Sequence, residues 1–351
     1  MTCCRISGKE NRSSYIYKMS ASKSLIITTI ASPNKALSTF AKECSRLEID
    51  FIIVGDRKSP LEFSLPGADF WSIDRQVGSG FKTATAIPEN HYARKNIGYL
   101  VAIERGHELI LESDDDNLPY ESFWEPAVKN IQGEMVQTGG WINIFSMFSD
   151  EVIWPRGFPL EYLDLMTNYQ TSTEENHFCP IQQGLANDNP DVDAVFRLTR
   201  KLPLVFQPDR TFILGQGSWC PFNSQNTVWF REAFPLLYLP SHCSFRMTDI
   251  WRSFVAQRIA WEYGWKIAFY SPTVYQERNE HNLLGDFKDE VPGYLNNAAI
   301  GKALESLKLS DRKENIYDNL SRCYELLIRM NLAGSEEMQI LKQWSDDLLH
   351  L

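Results

Sequence analysis

Glu108-Leu109-Ile110-Leu111-Glu112-Ser113-Asp114-Asp115-Asp116-Asn117 joins a short apolar run to three adjacent carboxylates. The run from Glu108 to Leu111 predicts a buried strand. Three neighbouring carboxylates repel one another, which disfavours a packed setting unless a cation neutralises them. A solvated loop also tolerates such a cluster. The strand immediately upstream favours the first setting, because ligands collect at the carboxyl ends of parallel strands. Oxygen donors in this arrangement suit Mg²⁺ or Mn²⁺, and such an ion completes its shell with substrate phosphates. There it bridges a diphosphate and stabilises the charge of the departing group.

Working outward, the first half of the chain alternates strand and helix signals. Ser24 to Ile30 is β-branched and apolar, and Asp50 to Val54 is a second buried run. Between them, Asn34 to Arg46 carries Ala36, Leu37, Phe40, Ala41 and Cys44 at helical spacing. A short strand is predicted over Ala68 to Ile73, and a helix over His91 to Arg105. This rhythm implies a mainly parallel sheet covered by helices. The stretch from about Gly133 to Pro240 changes character, with many Trp, Phe, Pro, Gly and Asn and one amphipathic helix over Asp191 to Arg200. Thr248 is a predicted N-cap for a helix reaching about Tyr263, and Trp265 to Tyr270 returns as a strand. Beyond Pro292 the chain reads as helical to its end.

Other segments carry chemistry. Arg94-Lys95-Asn96 opens the helix before the triplet strand, and free N–H groups there bind phosphate. Asp249 falls in the first turn of a helix. The dipole alone explains a carboxylate there, and a general base for an acceptor hydroxyl is the functional alternative. Arg252, one turn along, pairs with Asp249 or with phosphate. His281 is a candidate metal ligand or phosphate contact, with an ordinary surface histidine as the plain alternative. The amide-rich turns around Gln183 and Trp219 are candidates for acceptor sugar hydroxyls. Gly78-Ser79-Gly80-Phe81-Lys82-Thr83 imitates a P-loop but lacks the Gly before Lys, so an NTPase reading fails.

The 351 residues carry a net charge of −10, which argues against nucleic acid as the main partner. The cysteines are seven, scattered and without a CxxC pair, so no zinc ribbon or redox motif is indicated. No apolar run reaches bilayer length, and residues 1–23 lack a secretory h-region. The expected location is therefore the cytoplasm, with peripheral membrane association and homodimer formation both open.

The ordered series IIVGD, YARKNIGYL, ESDDDN, QGLANDNPDVDAVFRLTR, SFRMTDIWRS and ERNEHNLLGDFKDEVPGYL resembles the STELLO-type glycosyltransferases over about residues 24–295. More distantly it is similar to the reversibly glycosylated polypeptides, the UDP-arabinopyranose mutases. The resemblance implies an α/β GT-A fold, a Rossmann-like mixed sheet flanked by helices. Residues 1–23 would be a flexible lead and 24–292 the catalytic domain, divided into a nucleotide-binding half (24–132) and an acceptor half (133–292). Residues 293–351 would be a helical extension. The resemblance further implies transfer from a nucleotide sugar, UDP-linked, to a glycan or other hydroxyl acceptor, with Mn²⁺ or Mg²⁺. Surface-polysaccharide synthesis is one setting for such an enzyme. Asp114 and Asp116, with His281, would hold the metal. Asp56 would face the nucleoside, Arg94, Lys95, Asn96, Asp114, Asp115 and Arg252 the rest of the donor, and Asp249 would be the base by analogy with inverting enzymes. A UDP-sugar mutase and a non-catalytic scaffold partnering a polysaccharide synthase are the rival readings.

Overall fold

The computed structural model describes residues 22–164, 170–172, 176–277 and 282–351. The two apolar runs near the N-terminus form β1 (Lys23–Thr28) and β2 (Asp50–Val54). β3 (Asp69–Trp71) and β4 (Leu109–Ser113) join them in the order β3-β2-β1-β4, all parallel. The strand Asn226–Phe230 then runs antiparallel to β4, and it is followed by Ile181–Asn187, Ile267–Gln276, Thr211–Leu214, Glu134–Gln137 and Gln170–Ser172. With Asn117–Pro119 pairing to one side, the sheet has 11 strands among the described residues. A parallel Rossmann-like half continued by mixed strands is the GT-A arrangement that the sequence implies.

Alternation along β1 and β2 builds both faces. Ile26, Ile52 and Val54 share one core with the helix Lys95–Glu104. Leu25, Ile27, Phe51 and Ile53 share the other with Leu37, Phe40, Ala41 and Cys44 of the helix Lys35–Leu47. Each fully buried side chain of this kind contributes about 1.5–3 kcal/mol. The Asn34 cap, which accepts the Leu37 N–H at 2.9 Å, adds roughly 1 kcal/mol. Burial therefore decides where that helix sits, and the cap decides where it starts. Gly98 lets the other helix lie close on the sheet, because a Cβ there would stand 2.6 Å from Ile26 Cγ2 and 2.7 Å from Val54 Cγ2.

Several predicted boundaries shift. The expected helix over 91–105 begins with a 3-10 turn, Tyr92–Arg94, and becomes α-helical only at Lys95. The helix expected over 191–200 contracts to Ala194–Thr199, capped by Asp193. Thr248 is the first helical residue, preceded by Met247 with no side-chain cap. The last strand runs on to Gln276. The boundary expected after Pro292 falls inside the helix Leu283–Glu305, which Asn282 caps. The C-terminal helices also pack on the rest of the fold. Asp347 accepts the Lys82 and Thr83 N–H groups, and Glu337 accepts those of Ser241 and His242. Residues 293–351 are thus part of the same packed body.

Candidate active site

The triplet is a tight turn held at both ends. Ser113 is the last residue of β4, in register with Asn226, and Asn117 opens a short strand in register with Gln276. The Asn117 N–H donates to the Asp114 carbonyl at 3.3 Å, and the Glu277 N–H to the Asp116 carbonyl at 3.0 Å. From the end of β1, Thr29 Oγ1 donates to Asp115 Oδ2 at 2.5 Å. Asn34 does two things at once. Its Oδ1 caps a helix, and its Nδ2 donates to the Asp115 carbonyl at 2.7 Å. Gln276 Nε2 donates to Asp116 Oδ1 at 2.9 Å.

All three carboxylates line a cleft of about 420 Å³ over the carboxyl ends of β1, β2 and β4. Burial pushes the Asp114 carboxyl up to about 7. Lys95 opposes that shift, while Asp116, Asp115 and Asp249 add to it. Burial also raises Asp115, against the Thr29 hydrogen bond. Lys95 lies beneath Asp114, with its Nζ 3.8 Å from Oδ1 and donating to the Ser113 and Ser224 carbonyls. Burial lowers the Lys95 ammonium in turn, against the pull of Asp114 and Glu112. The two shifts agree, since each buried partner is driven toward its neutral form. A further positive charge in the cleft would relieve the carboxylates.

The opposite wall was not legible in the sequence. Arg156 donates to Asp191 through Nε and Nη2, both at 2.8 Å. It also donates to Asp249 through Nη1 at 3.0 Å and Nη2 at 2.9 Å, and to the Arg246 carbonyl through Nη1. Each of its N–H groups has a partner. Burial alone would raise the Asp249 carboxyl, but the Arg156 charge and hydrogen bonds outweigh it and hold Asp249 down at about 2. Ser224 Oγ donates to Asp249 at 3.2 Å and lies 2.5 Å from the Tyr92 hydroxyl, which is 3.3 Å from Asp114. A continuous polar chain therefore runs from the triplet to Asp249. His91 is a further wall residue. Its Nδ1 accepts the Ala93 N–H at 3.0 Å, and burial depresses the ring to about 4, so it is neutral with its hydrogen on Nε2.

The sequence candidates divide. Asp56, Asp114, Asp115, Asp116 and Asp249 all line the cleft. Asp56 also carries the turn beside it, accepting the Asn90 and His91 N–H groups at 2.7 and 2.9 Å. Arg94 reaches the cleft wall, but four N–H groups of its guanidinium go to Gln76 and to the Ala84 and Ile87 carbonyls. Asn96 is buried and exchanges hydrogen bonds with the Leu239 backbone. The helix Lys95–Glu104 is buried from Lys95 to Ala102, so its first polar residues need internal partners. Arg252 pairs with Glu112 at 3.0 Å rather than with Asp249, and both are sealed beneath the triplet. Gln183 and Trp219 are core residues away from the cleft. Gln183 Oε1 accepts the Asn223 N–H at 2.8 Å, and Trp219 Nε1 donates to Glu305 at 2.6 Å. His281 lies outside the described residues.

Fold and cleft together define an α/β protein of the GT-A class, with an acidic turn at the strand ends. Residues 246–351 match the family model of the STELLO glycosyltransferases. The chain is 29% identical to "Probable glycosyltransferase STELLO1" of Arabidopsis thaliana over 322 residues, and 28% identical to "Probable glycosyltransferase STELLO2" of the same plant over 324. Each match covers 85% of this chain and 41% of the relative, so the chain spans less than half the length of those curated relatives. The resemblance seen in the motifs is borne out by these matches. A mycobacterial crystal structure of unstated activity aligns over 80% of this chain and 75% of its own, at 10% identity and a TM-score of 0.40, too slight a likeness to carry an argument. Among the described residues, no helix is long and apolar enough to cross a membrane.

Proposed function

We propose that the cleft binds a UDP-sugar together with Mn²⁺ or Mg²⁺ and that the protein transfers the sugar to a hydroxyl acceptor. The observation that carries this reading is the acidic turn, which brings three carboxylates into one cleft at the ends of parallel strands. No group of three or more potential ligand side chains is set for a metal among the described residues. An Mg²⁺-like ion does not need such a group, because it takes one or two carboxylates and fills the rest of its shell from substrate phosphates. Asp114, desolvated and crowded by its acidic neighbours, fits such an ion, with Asp116 as its companion. Bound there, the metal would supply charge stabilisation to the departing diphosphate.

The chain's own residues do the rest. Thr29 and Asn34 occupy Asp115 and hold the turn in place. Asp56 and His91 form the end of the cleft for the nucleoside, with His91 Nε2–H as a donor. Lys58 and Arg246 are cations on the cleft wall that would meet phosphate charge. Asp249 is not carried forward as the base, because a carboxyl held at about 2 has little affinity for a proton near neutral pH.

The test is UDP release from a panel of UDP-sugars with Mn²⁺. Turnover of the best substrate is expected to fall on the order of 10²–10³-fold in Asp114→Ala with the fold intact, and to vanish in excess EDTA. Full turnover in either case would sink the proposal.

A further inference from the structure

We propose that Asp191 and Asp249, bridged by Arg156, form the sugar-reading wall of the cleft and accept hydrogen bonds from two neighbouring hydroxyls of an uncharged donor sugar. This rests on the UDP-sugar reading above and adds the class of sugar to it.

The geometry carries the inference. One guanidinium holds both carboxylates edge-on, with 2.8 Å bonds to Asp191 and bonds of 2.9 and 3.0 Å to Asp249. Arg156 is buried and has used all its N–H groups, so it has none to offer a ligand. Its effect is on the two aspartates. Asp191 keeps a lone pair on each oxygen that the guanidinium does not take. Asp249 keeps one on Oδ1, while its Oδ2 also accepts from the Ser224 N–H and Oγ. Both side chains line the cleft. A rigid pair of carboxylate acceptors matches two adjacent hydroxyl donors, because each can accept without rearranging. The same pair repels a carboxylate brought into the cleft, and no N–H of Arg156 is left to compensate.

The donor's sugar, rather than the acceptor's, is the source of those hydroxyls. Ser224 and Tyr92 connect Asp249 to Asp114 through contacts of 3.2, 2.5 and 3.3 Å. The wall therefore stands next along the cleft from the turn that would hold the diphosphate, where a sugar on that diphosphate must lie. Asp191 and Asp249 are specificity-determining residues on this reading, and Arg156 is a positioning residue.

The test compares binding of UDP, neutral UDP-hexoses and UDP-pentoses, and UDP-glucuronate, each with Mn²⁺ and without acceptor, by calorimetry. The wild type should bind at least one neutral UDP-sugar about tenfold more tightly than UDP, and UDP-glucuronate no more tightly than UDP. Asp191→Asn should keep UDP affinity within about twofold and lose most of the neutral-sugar gain. Equal gains for neutral and uronate sugars in the wild type would overturn the inference even if the variant failed to fold. So would a folded Asp191→Asn that keeps the full gain. Absence of UDP binding to the wild type would instead overturn the donor reading, and this inference with it.

Discussion

Asp249 and Arg252 stand one turn apart on the helix Thr248–Glu262, each in an arginine–carboxylate pair. Both pairs are buried and both involve two hydrogen bonds between guanidinium and carboxylate. They differ in what surrounds the carboxylate. Glu112 also accepts from Tyr99 Oη and from Trp229 Nε1, the latter at 2.5 Å, and it is fully enclosed. Asp249 shares its arginine with Asp191, accepts from Ser224 at Oδ2 only, and opens on the cleft with Oδ1 not fully used. The first pair is a bolt between β4 and the helix. The second is a wall with acceptors facing a ligand. Burial alone does not separate a structural ion pair from a functional one, whereas the use of the remaining lone pairs does.

That contrast breaks most visibly under substitution. Arg252→Met should destabilise the fold by about 3–5 kcal/mol, because it strands the Glu112 charge in the interior. Chemical denaturation at pH 7 measures it, and a loss under 1 kcal/mol would show that the bolt is not one. Asp249→Asn should cost less, about 2 kcal/mol, from the gap between the ordinary carboxyl value of 3.8 and about 2 in the fold.

The second substitution also carries a pH signature that sharpens the comparison. The folded value of Asp249 lies below its ordinary one, so its stabilisation is complete above about pH 4 and is lost as pH falls through about 2. The stability difference between wild type and Asp249→Asn should be flat from pH 5 to 8 and close below pH 4. A difference that changes between pH 6 and 8 would mean that Asp249 titrates in the range of a general base.

The sequence carried these regions unequally. β1, β2, β4 and the acidic turn announce themselves because buried parallel strands are continuous apolar runs and the carboxylates follow one directly. Asp249 was visible as a carboxylate in a first helical turn. Arg156 was not. It lies 35 residues from Asp191 and 93 from Asp249, in a stretch without regular periodicity, and only the folded chain brings them together. Asn96, Gln183 and Trp219 show the converse. Their polar groups suggested a ligand, yet they satisfy neighbouring backbone or side-chain groups in the core. A sequence displays a hydrogen-bonding group without displaying which way it faces.

The central claim is that the acidic turn receives a metal-held diphosphate, and calorimetric titration of UDP into the protein tests it most directly. The wild type should bind UDP in the presence of Mn²⁺ and lose at least about tenfold in affinity in its absence. Asp114→Asn should behave with Mn²⁺ as the wild type does without it. Equal UDP affinity in all these conditions would contradict the account.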